Sequence, residues 1–246
     1  MSINYDGKFY DRRFLSYDYD LPFWKEQAAK WGSPILELAC GTGRVSLELA
    51  RQGYQVVGLD QAEEMLKEAQ KKANEQNLKL EFKKGDMRNF CLEQKFPLII
   101  LPFNSLAHLH SYHDLEQLLS CVGQHLSENG RFVFDYLNPS LSILGRDPQK
   151  WYPSGEFYDS RGEKVIIQER CSYDSAFQIN KITMKYNFPD GEVVEDILYM
   201  RMFFPRELEA LLEYNGWVIE KRLGDFNGEE FSSDSPRQII TCRRKT

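Results

Sequence analysis

The run Ile35-Leu36-Glu37-Leu38-Ala39-Cys40-Gly41-Thr42-Gly43-Arg44 constrains this chain more than any other segment. A short, mainly apolar run stops at two glycines separated by one residue. Val45, Leu47, Leu49 and Ala50 then follow at helical spacing. A buried strand, a tight turn and a helix start satisfy that pattern together. Glycine supplies the turn's dihedrals and lets a ligand approach the backbone closely. The helix start beyond it offers unpaired N–H groups. A small molecule with a nucleoside and a charged end suits such a place.

Strand and helix patterns alternate through the first part of the chain. Strands are expected at Ile35–Leu38, Gln55–Leu59, Leu78–Phe82, Leu98–Leu101 and Arg131–Tyr136. Helices are expected at 19–31, 43–52 and 62–76, and around Leu115, Leu118, Leu119 and Val122, with a turn at Glu128-Asn129-Gly130. Short strands alternating with helices imply an α/β fold with a doubly wound, mostly parallel sheet. After Pro139 the period changes to two over 163–173, 176–188 and 192–203, with hairpin turns at Tyr173-Asp174-Ser175 and Pro189-Asp190-Gly191. That is an antiparallel sheet inserted after the fifth strand. Pro205 opens another helix, Asn215-Gly216 closes it, and Trp217–Arg222 and Gln238–Cys242 complete a seven-stranded sheet. Residues 1–139 and 204–246 are thus expected to form the core, and 140–203 an inserted subdomain. The N-terminal aromatics Tyr5, Phe9, Tyr10, Phe14 and Tyr17 serve either as a lid or as packing. Trp151, Tyr152, Phe157 and Tyr158 either roof a substrate pocket or cover the inserted sheet.

Bulk properties exclude several function classes. With 246 residues and 42% hydrophobic content, the chain can bury a large core. Its net charge is −6 and its basic residues are scattered, which disfavours nucleic acid as a partner. Arg243-Arg244-Lys245 is the one basic group and reads as a solvated tail. The start of the chain lacks an apolar leader, and no run is long enough to span a membrane. Five dispersed cysteines form neither a zinc pattern nor a disulfide framework, so a reducing cytoplasm is the expected compartment; a monomer or homodimer is expected as well. His108, His110 and His113 lack a matching carboxylate or cysteine set, so no metal is expected. Cys40 has no neighbouring base and reads as a packing residue.

Three acids follow the strand order: Glu37 in the first strand, Asp60 ending the second, and Asp86 after the third, in Gly85-Asp86-Met87-Arg88. Ligands of open parallel sheets bind beyond the strands' carboxyl ends, so these acids point to one crevice. An acid ending the second strand suits the two hydroxyls of a ribose. An acid one strand further along suits an exocyclic amine, with Met87 packing on the ring. Glu37 and Asp86 would repel a pyrophosphate, whereas a sulfonium and an ammonium are attracted.

Taken with their order and spacing, Glu37 to Gly43, Gly58-Leu59-Asp60 and Gly85-Asp86-Met87-Arg88 resemble the successive motifs of class I S-adenosylmethionine-dependent methyltransferases. Phe96 to Leu109 resembles the fourth motif, and Leu126 to Asp135 the next, with Arg131 where a second glycine is common. Pro97 replaces an acid frequent in relatives and is expected to be structural. The insertion resembles that of small-molecule N-methyltransferases, notably sugar amine dimethyltransferases. The resemblance implies a Rossmann-like fold with S-adenosylmethionine as cofactor. It implies that the backbone of Ala39, Gly41 and Gly43 lines the methionine end and that Glu37 orders that loop and the ammonium. It assigns the ribose to Asp60 and Gln61, adenine to Asp86 and Met87, and a carbonyl facing the ammonium to the stretch of Pro102 and Phe103. Tyr10 resembles the tyrosine of an N-terminal lid.

Methyl transfer from a sulfonium needs alignment and exclusion of water, and a base only where the nucleophile arrives protonated. The candidates are His108, Tyr10 and Asn104, with His108 favoured because its ordinary pKa suits the task. The expected acceptor is a nitrogen or oxygen of a small molecule. Two alternatives stay open at this level, an NAD-dependent oxidoreductase on a related sheet and a non-catalytic S-adenosylmethionine-binding protein.

Overall fold

A computed structural model describes residues 6–245; Tyr5 lies outside the described residues. In chain order the elements are α1 (Gly7–Arg13), α2 (Leu21–Trp31), β1 (Ile35–Leu38), α3 (Arg44–Arg51), β2 (Val56–Asp60), α4 (Glu63–Glu75), β3 (Glu81–Lys84), β4 (Phe96–Leu101), α5 (Tyr112–His125) and β5 (Leu126–Leu137). There follow α6 (Leu141–Leu144), β6 (Tyr152–Tyr158), β7 (Lys164–Asp174), β8 (Ile179–Asn187), β9 (Val193–Arg201), α7 (Pro205–Tyr214), β10 (Trp217–Leu223) and β11 (Arg237–Arg244). The chain divides into two compact units. One contains Asp18–Leu106, Ser111–Asn138 and the described residues from Phe204. The other contains the described residues up to Tyr17, Ala107–His110 and Pro139–Phe203.

The first unit is built on a seven-stranded sheet in the order β10-β11-β5-β4-β1-β2-β3. β1 pairs in parallel with β2 on one side and with β4 on the other. β3 and β5 extend the parallel pairing outward, and β11 runs antiparallel to both β5 and β10. All four β1 residues are buried, because both faces of this central strand are covered. Phe23, Trp24 and Ala28 of α2 join Ile35, Val56, Leu98, Ile100 and Val133 in one core cluster. Burying one such large side chain stabilises the fold by about 1.5–3 kcal/mol. The strand order reverses between β1 and β4, and an open α/β sheet holds its ligand beyond such a switch.

The second unit carries a four-stranded antiparallel sheet in the order β6-β7-β8-β9. Both expected hairpin turns are capped by their own aspartates. Asp174 Oδ1 accepts from the backbone N–H groups of Ala176 and Phe177, and Asp190 Oδ1 accepts from that of Glu192. The sheet's core is Phe157, Val165, Ile167, Met184 and Tyr186, with Phe9 of α1 packed against it. The Phe9 ring meets Phe157 and Tyr186 edge-on, each at 5.2 Å. Phe9 therefore acts as packing within this unit. Trp151 lies against the Arg170 guanidinium at 4.7 Å, while Tyr158 is exposed.

Several expected boundaries are corrected. β3 begins at Glu81 rather than Leu78, since its pairing with β2 starts at Val57↔Glu81. The Glu128-Asn129-Gly130 turn is instead part of β5. Pairing slips from Phe96↔Leu126 to Leu98↔Arg131, and this irregularity absorbs the intervening residues. A Cβ on Gly130 would meet the Phe96 carbonyl at 2.9 Å, so the close approach requires glycine. β6 had no strand signal because Pro153 and Gly155 interrupt it; proline is tolerated on such an edge strand. Arg243 and Arg244 are not a solvated tail. They belong to β11, where Arg243 Nε meets Glu220 at 3.1 Å and Arg244 Nη1 donates to the Gly123 carbonyl at 3.3 Å.

Candidate active site

The loop after β1 is left-handed at three positions, with φ 51° at Ala39, 55° at Gly41 and 79° at Gly43. Gly41 N–H donates to Asp60 Oδ2 and Ala62 N–H to Asp60 Oδ1, each at 2.8 Å. The carboxylate ending β2 thus ties the glycine loop to its own loop. Burial raises the Asp60 pKa, and the N–H donors of Ala62, Gly41 and Gln61 oppose that rise. Gln61 itself is exposed. Gly58 serves packing. A Cβ there would lie 2.7 Å from Phe82 Cδ1 and 2.9 Å from Cys40 Sγ. The Cys40 thiol is buried, and desolvation together with Glu37 and Asp60 keeps its pKa high.

Glu37 is 3% exposed and accepts a short hydrogen bond from Ser46 Oγ. Burial pushes its carboxyl up to about 7, against the opposing effects of Ser46 and Arg44. Arg44 opens α3 and is gripped by Asp20, at 2.6 Å from Nη1 and 2.7 Å from Nη2. Asp20 is fully buried and also accepts from Trp24 Nε1 at 3.0 Å. Sequence reasoning missed Asp20 and Arg44. The available signal was an aspartate just before a helix with tryptophan four residues on.

Asp86 and Met87 are half-buried in the loop after β3. The Asp86 carboxylate faces Arg88, accepting from Nε at 3.0 Å and Nη2 at 2.6 Å. Arg88 Nη1 also reaches Asp114 Oδ1 at 2.5 Å, so one guanidinium joins this loop to the capping box of α5. The Arg88 hydrogen bonds outweigh desolvation and lower the Asp86 pKa. The sequence reading did not foresee this partner.

At the end of β4, Pro102 is buried and its carbonyl accepts from Ser105 Oγ at 2.6 Å. Phe103 and Asn104 are both left-handed, at φ 65° and 56°. Their N–H groups donate to one carboxylate, that of Asp135 on β5, at 2.6 and 3.3 Å. Asn104 Oδ1 is buried and lacks a hydrogen-bond partner among the described residues. A buried acceptor in that state invites a donor from a ligand.

Tyr10 and His108 belong to the unit of the four-stranded sheet. Tyr10 lies on α1 with its ring 4.7 Å from that of Phe14. His108 is exposed as a residue, while desolvation of its ring and the nearby His110 lower its pKa. His110 Nε2 lies 3.1 Å from the Tyr199 carbonyl oxygen. No group of three or more His, Cys, Asp or Glu among the described residues is arranged to hold a metal. No helix among them is long and apolar enough to cross a membrane.

The acceptor set fits a cationic nucleoside ligand. Glu37, Asp60 and Asp86 accompany the ends of three adjacent strands. The nearby cations Arg44 and Arg88 are both held by carboxylates. Left-handed glycines, a tethering Asp60 and the open acceptor Asn104 Oδ1 complete the arrangement.

Residues 35–130 match a family model described as a methyltransferase domain. The chain is 29% identical over 226 residues to the putative methyltransferase YqeM of Bacillus subtilis (strain 168), covering 90% of this chain and 88% of that protein. The structure of the CcbJ methyltransferase from Streptomyces caelestis superposes with a TM-score of 0.82 at 21% identity, over 99% of this chain and 98% of that one. The sugar N-methyltransferase KedS8 from Streptoalloteichus sp ATCC 53650 superposes with a TM-score of 0.72 at 16% identity, over 95% and 91%. At these identities the two structural likenesses concern the fold. The β1 glycine loop and the acids at the strand ends fall within the matched residues: the chain carries a methyltransferase domain and shares the fold of solved S-adenosylmethionine-dependent methyltransferases.

Proposed function

We propose that this methyltransferase acts on a nitrogen or oxygen nucleophile of a small molecule. The observation that carries the cofactor part of this reading is the acid-lined, phosphate-averse end of the parallel sheet, where Glu37, Asp60 and Asp86 stand and Arg44 and Arg88 are already paired. When bound, S-adenosylmethionine supplies a methyl group on a sulfonium whose departure leaves a neutral thioether. In this reading the backbone of Ala39, Gly41 and Gly43 cradles the methionine end. Asp60, with Gln61 beside it, accepts from the ribose hydroxyls. Asp86 and Met87 flank adenine. Glu37 supplies negative charge for the ammonium, and the carbonyls around Pro102 and Phe103, with Asn104 Oδ1, accept its N–H groups. By the family resemblance, Tyr10 is a lid residue.

His108 holds the proton of an acceptor that arrives as an ammonium or hydroxyl; its lowered pKa keeps the imidazole neutral and able to accept. The inserted sheet, residues 140–203, contributes to acceptor recognition. The fold shared with a sugar N-methyltransferase makes amino sugars the first acceptor class to try.

Calorimetry with S-adenosylmethionine tests the cofactor assignment residue by residue. Wild type is expected to bind, and Asp60→Ala to bind far more weakly. Absence of binding by wild type, or undiminished binding by the variant, sinks the reading. Turnover is then screened over amino sugars, simple amines and hydroxylated acids, with S-adenosylhomocysteine release as readout.

A further inference from the structure

Two consecutive non-glycine residues, Phe103 and Asn104, are left-handed at the end of β4. That conformation is disfavoured for L-residues because Cβ crowds the carbonyl, so the surroundings must impose it. The imposing group is Asp135, which is 0% exposed and takes both backbone N–H groups on one carboxylate. Behind it stands Arg237 of β11, whose Nη1 lies 3.6 Å from Asp135 Oδ2. Arg237 is itself placed by Asp225 at 3.1 Å, by a short hydrogen bond to Tyr19 Oη and by the Phe226 ring at 4.8 Å. A second observation comes from the turn itself: Asn104 Oδ1 is buried with no partner among the described residues. The turn is therefore tied to Asp135, while the buried side-chain acceptor Asn104 Oδ1 is left for a ligand.

We propose that Asp135 is a positioning residue for S-adenosylmethionine, its ionised carboxylate holding the Phe103–Asn104 turn so that Asn104 Oδ1 meets the cofactor's ammonium, with Arg237 keeping that carboxylate ionised. The inference rests on the cofactor placement proposed above. Protonated Asp135 offers a hydroxyl donor where an acceptor is needed, so one of the two N–H groups loses its partner and the turn relaxes. Burial raises the Asp135 pKa to about 6. The charged groups acting on it are Arg237, which lowers that pKa, and Asp20, which raises it. Cofactor affinity then falls as pH drops through this region, by about tenfold per pH unit below the carboxyl's pKa when only the ionised form binds.

The test is calorimetry with S-adenosylhomocysteine as probe between about pH 5 and about pH 8.5, with circular dichroism confirming the fold of each variant. In Asp135→Asn the amide cannot accept from both N–H groups. Affinity is expected to fall about tenfold at high pH, the equivalent of about 1.4 kcal/mol, and to lose the transition contributed by Asp135. Arg237→Gln is expected to approach wild-type affinity at high pH but to move that transition upward. Glu37 also titrates in this range, yet Arg237 is not among the groups that shift it, so the displacement reports Asp135. Wild-type affinity in Asp135→Asn, or an unmoved profile in folded Arg237→Gln, overturns the proposal. If Asp135→Asn fails to fold, the Arg237→Gln profile alone decides. Failure of wild type to bind at any pH refutes the cofactor placement itself.

Discussion

Glu37→Gln should make the free protein relatively more stable as pH rises, while weakening its hold on the cofactor. The folded-state carboxyl has a pKa of about 7 against an ordinary value of 4.5. The folded chain therefore binds the Glu37 proton more tightly than the unfolded chain does. That contribution to stability is fully present below the unfolded pKa, declines as pH rises from there, and is gone above the folded one. At about 1.4 kcal/mol per unit of pKa, the full loss is on the order of 3 kcal/mol. Glutamine cannot ionise, so the variant escapes the loss. Replacing an acceptor oxygen by an amide N–H₂ beside Ser46 adds an offset of about 1–3 kcal/mol, the same at every pH. The informative quantity is the change in variant-minus-wild-type stability between about pH 4 and about pH 8.5, expected at about +3 kcal/mol. Urea unfolding without cofactor, followed by tryptophan fluorescence, measures it. A difference that stays flat with pH refutes the account of Glu37 as a buried carboxylate ionised at a cost. Calorimetry at high pH should show weakened S-adenosylmethionine binding by the same variant, because the amide carries no charge for the ammonium. Stability withheld for function is common at binding sites.

Further outcomes follow from the neighbouring residues. Arg44→Ala leaves the fully buried Asp20 without its guanidinium and should destabilise the fold by about 3–5 kcal/mol in urea unfolding; a loss under about 1 kcal/mol would show that Trp24 Nε1 suffices. Gly58→Ala drives a methyl into Phe82 and Cys40 and should cost about 1–3 kcal/mol, read as a lower melting temperature. Asp60→Asn presents N–H₂ to either Gly41 or Ala62 and should weaken S-adenosylmethionine binding by about tenfold or more; equal affinity would argue against the tether. His108→Ala should lower turnover by about 10²–10⁴-fold with cofactor affinity unchanged if the imidazole takes the acceptor's proton; unchanged turnover would remove that role.

The segment from Ile35 to Arg51 was readable residue by residue, because its signals are local. An apolar run, glycines in left-handed turns and a helical apolar stripe act over a few residues. The acids at the strand ends were readable for the same reason, since strand order follows from alternation. What those acids touch was not. Arg88 lies two residues from Asp86, but its placement between Asp86 and Asp114 depends on where α5 docks. Asp135 looked like one more strand residue, and only its burial beside β4 and β11 gives it the Phe103–Asn104 turn and Arg237. The elevated pKa values of Glu37 and Asp135 arise from desolvation, a property of the packed interior that no sequence window contains. Periodicity and turn chemistry thus settled the parallel sheet and its glycine loop from neighbouring residues alone. The state of each carboxylate waited for the tertiary structure, because charge interactions and burial act through space between residues far apart in the chain.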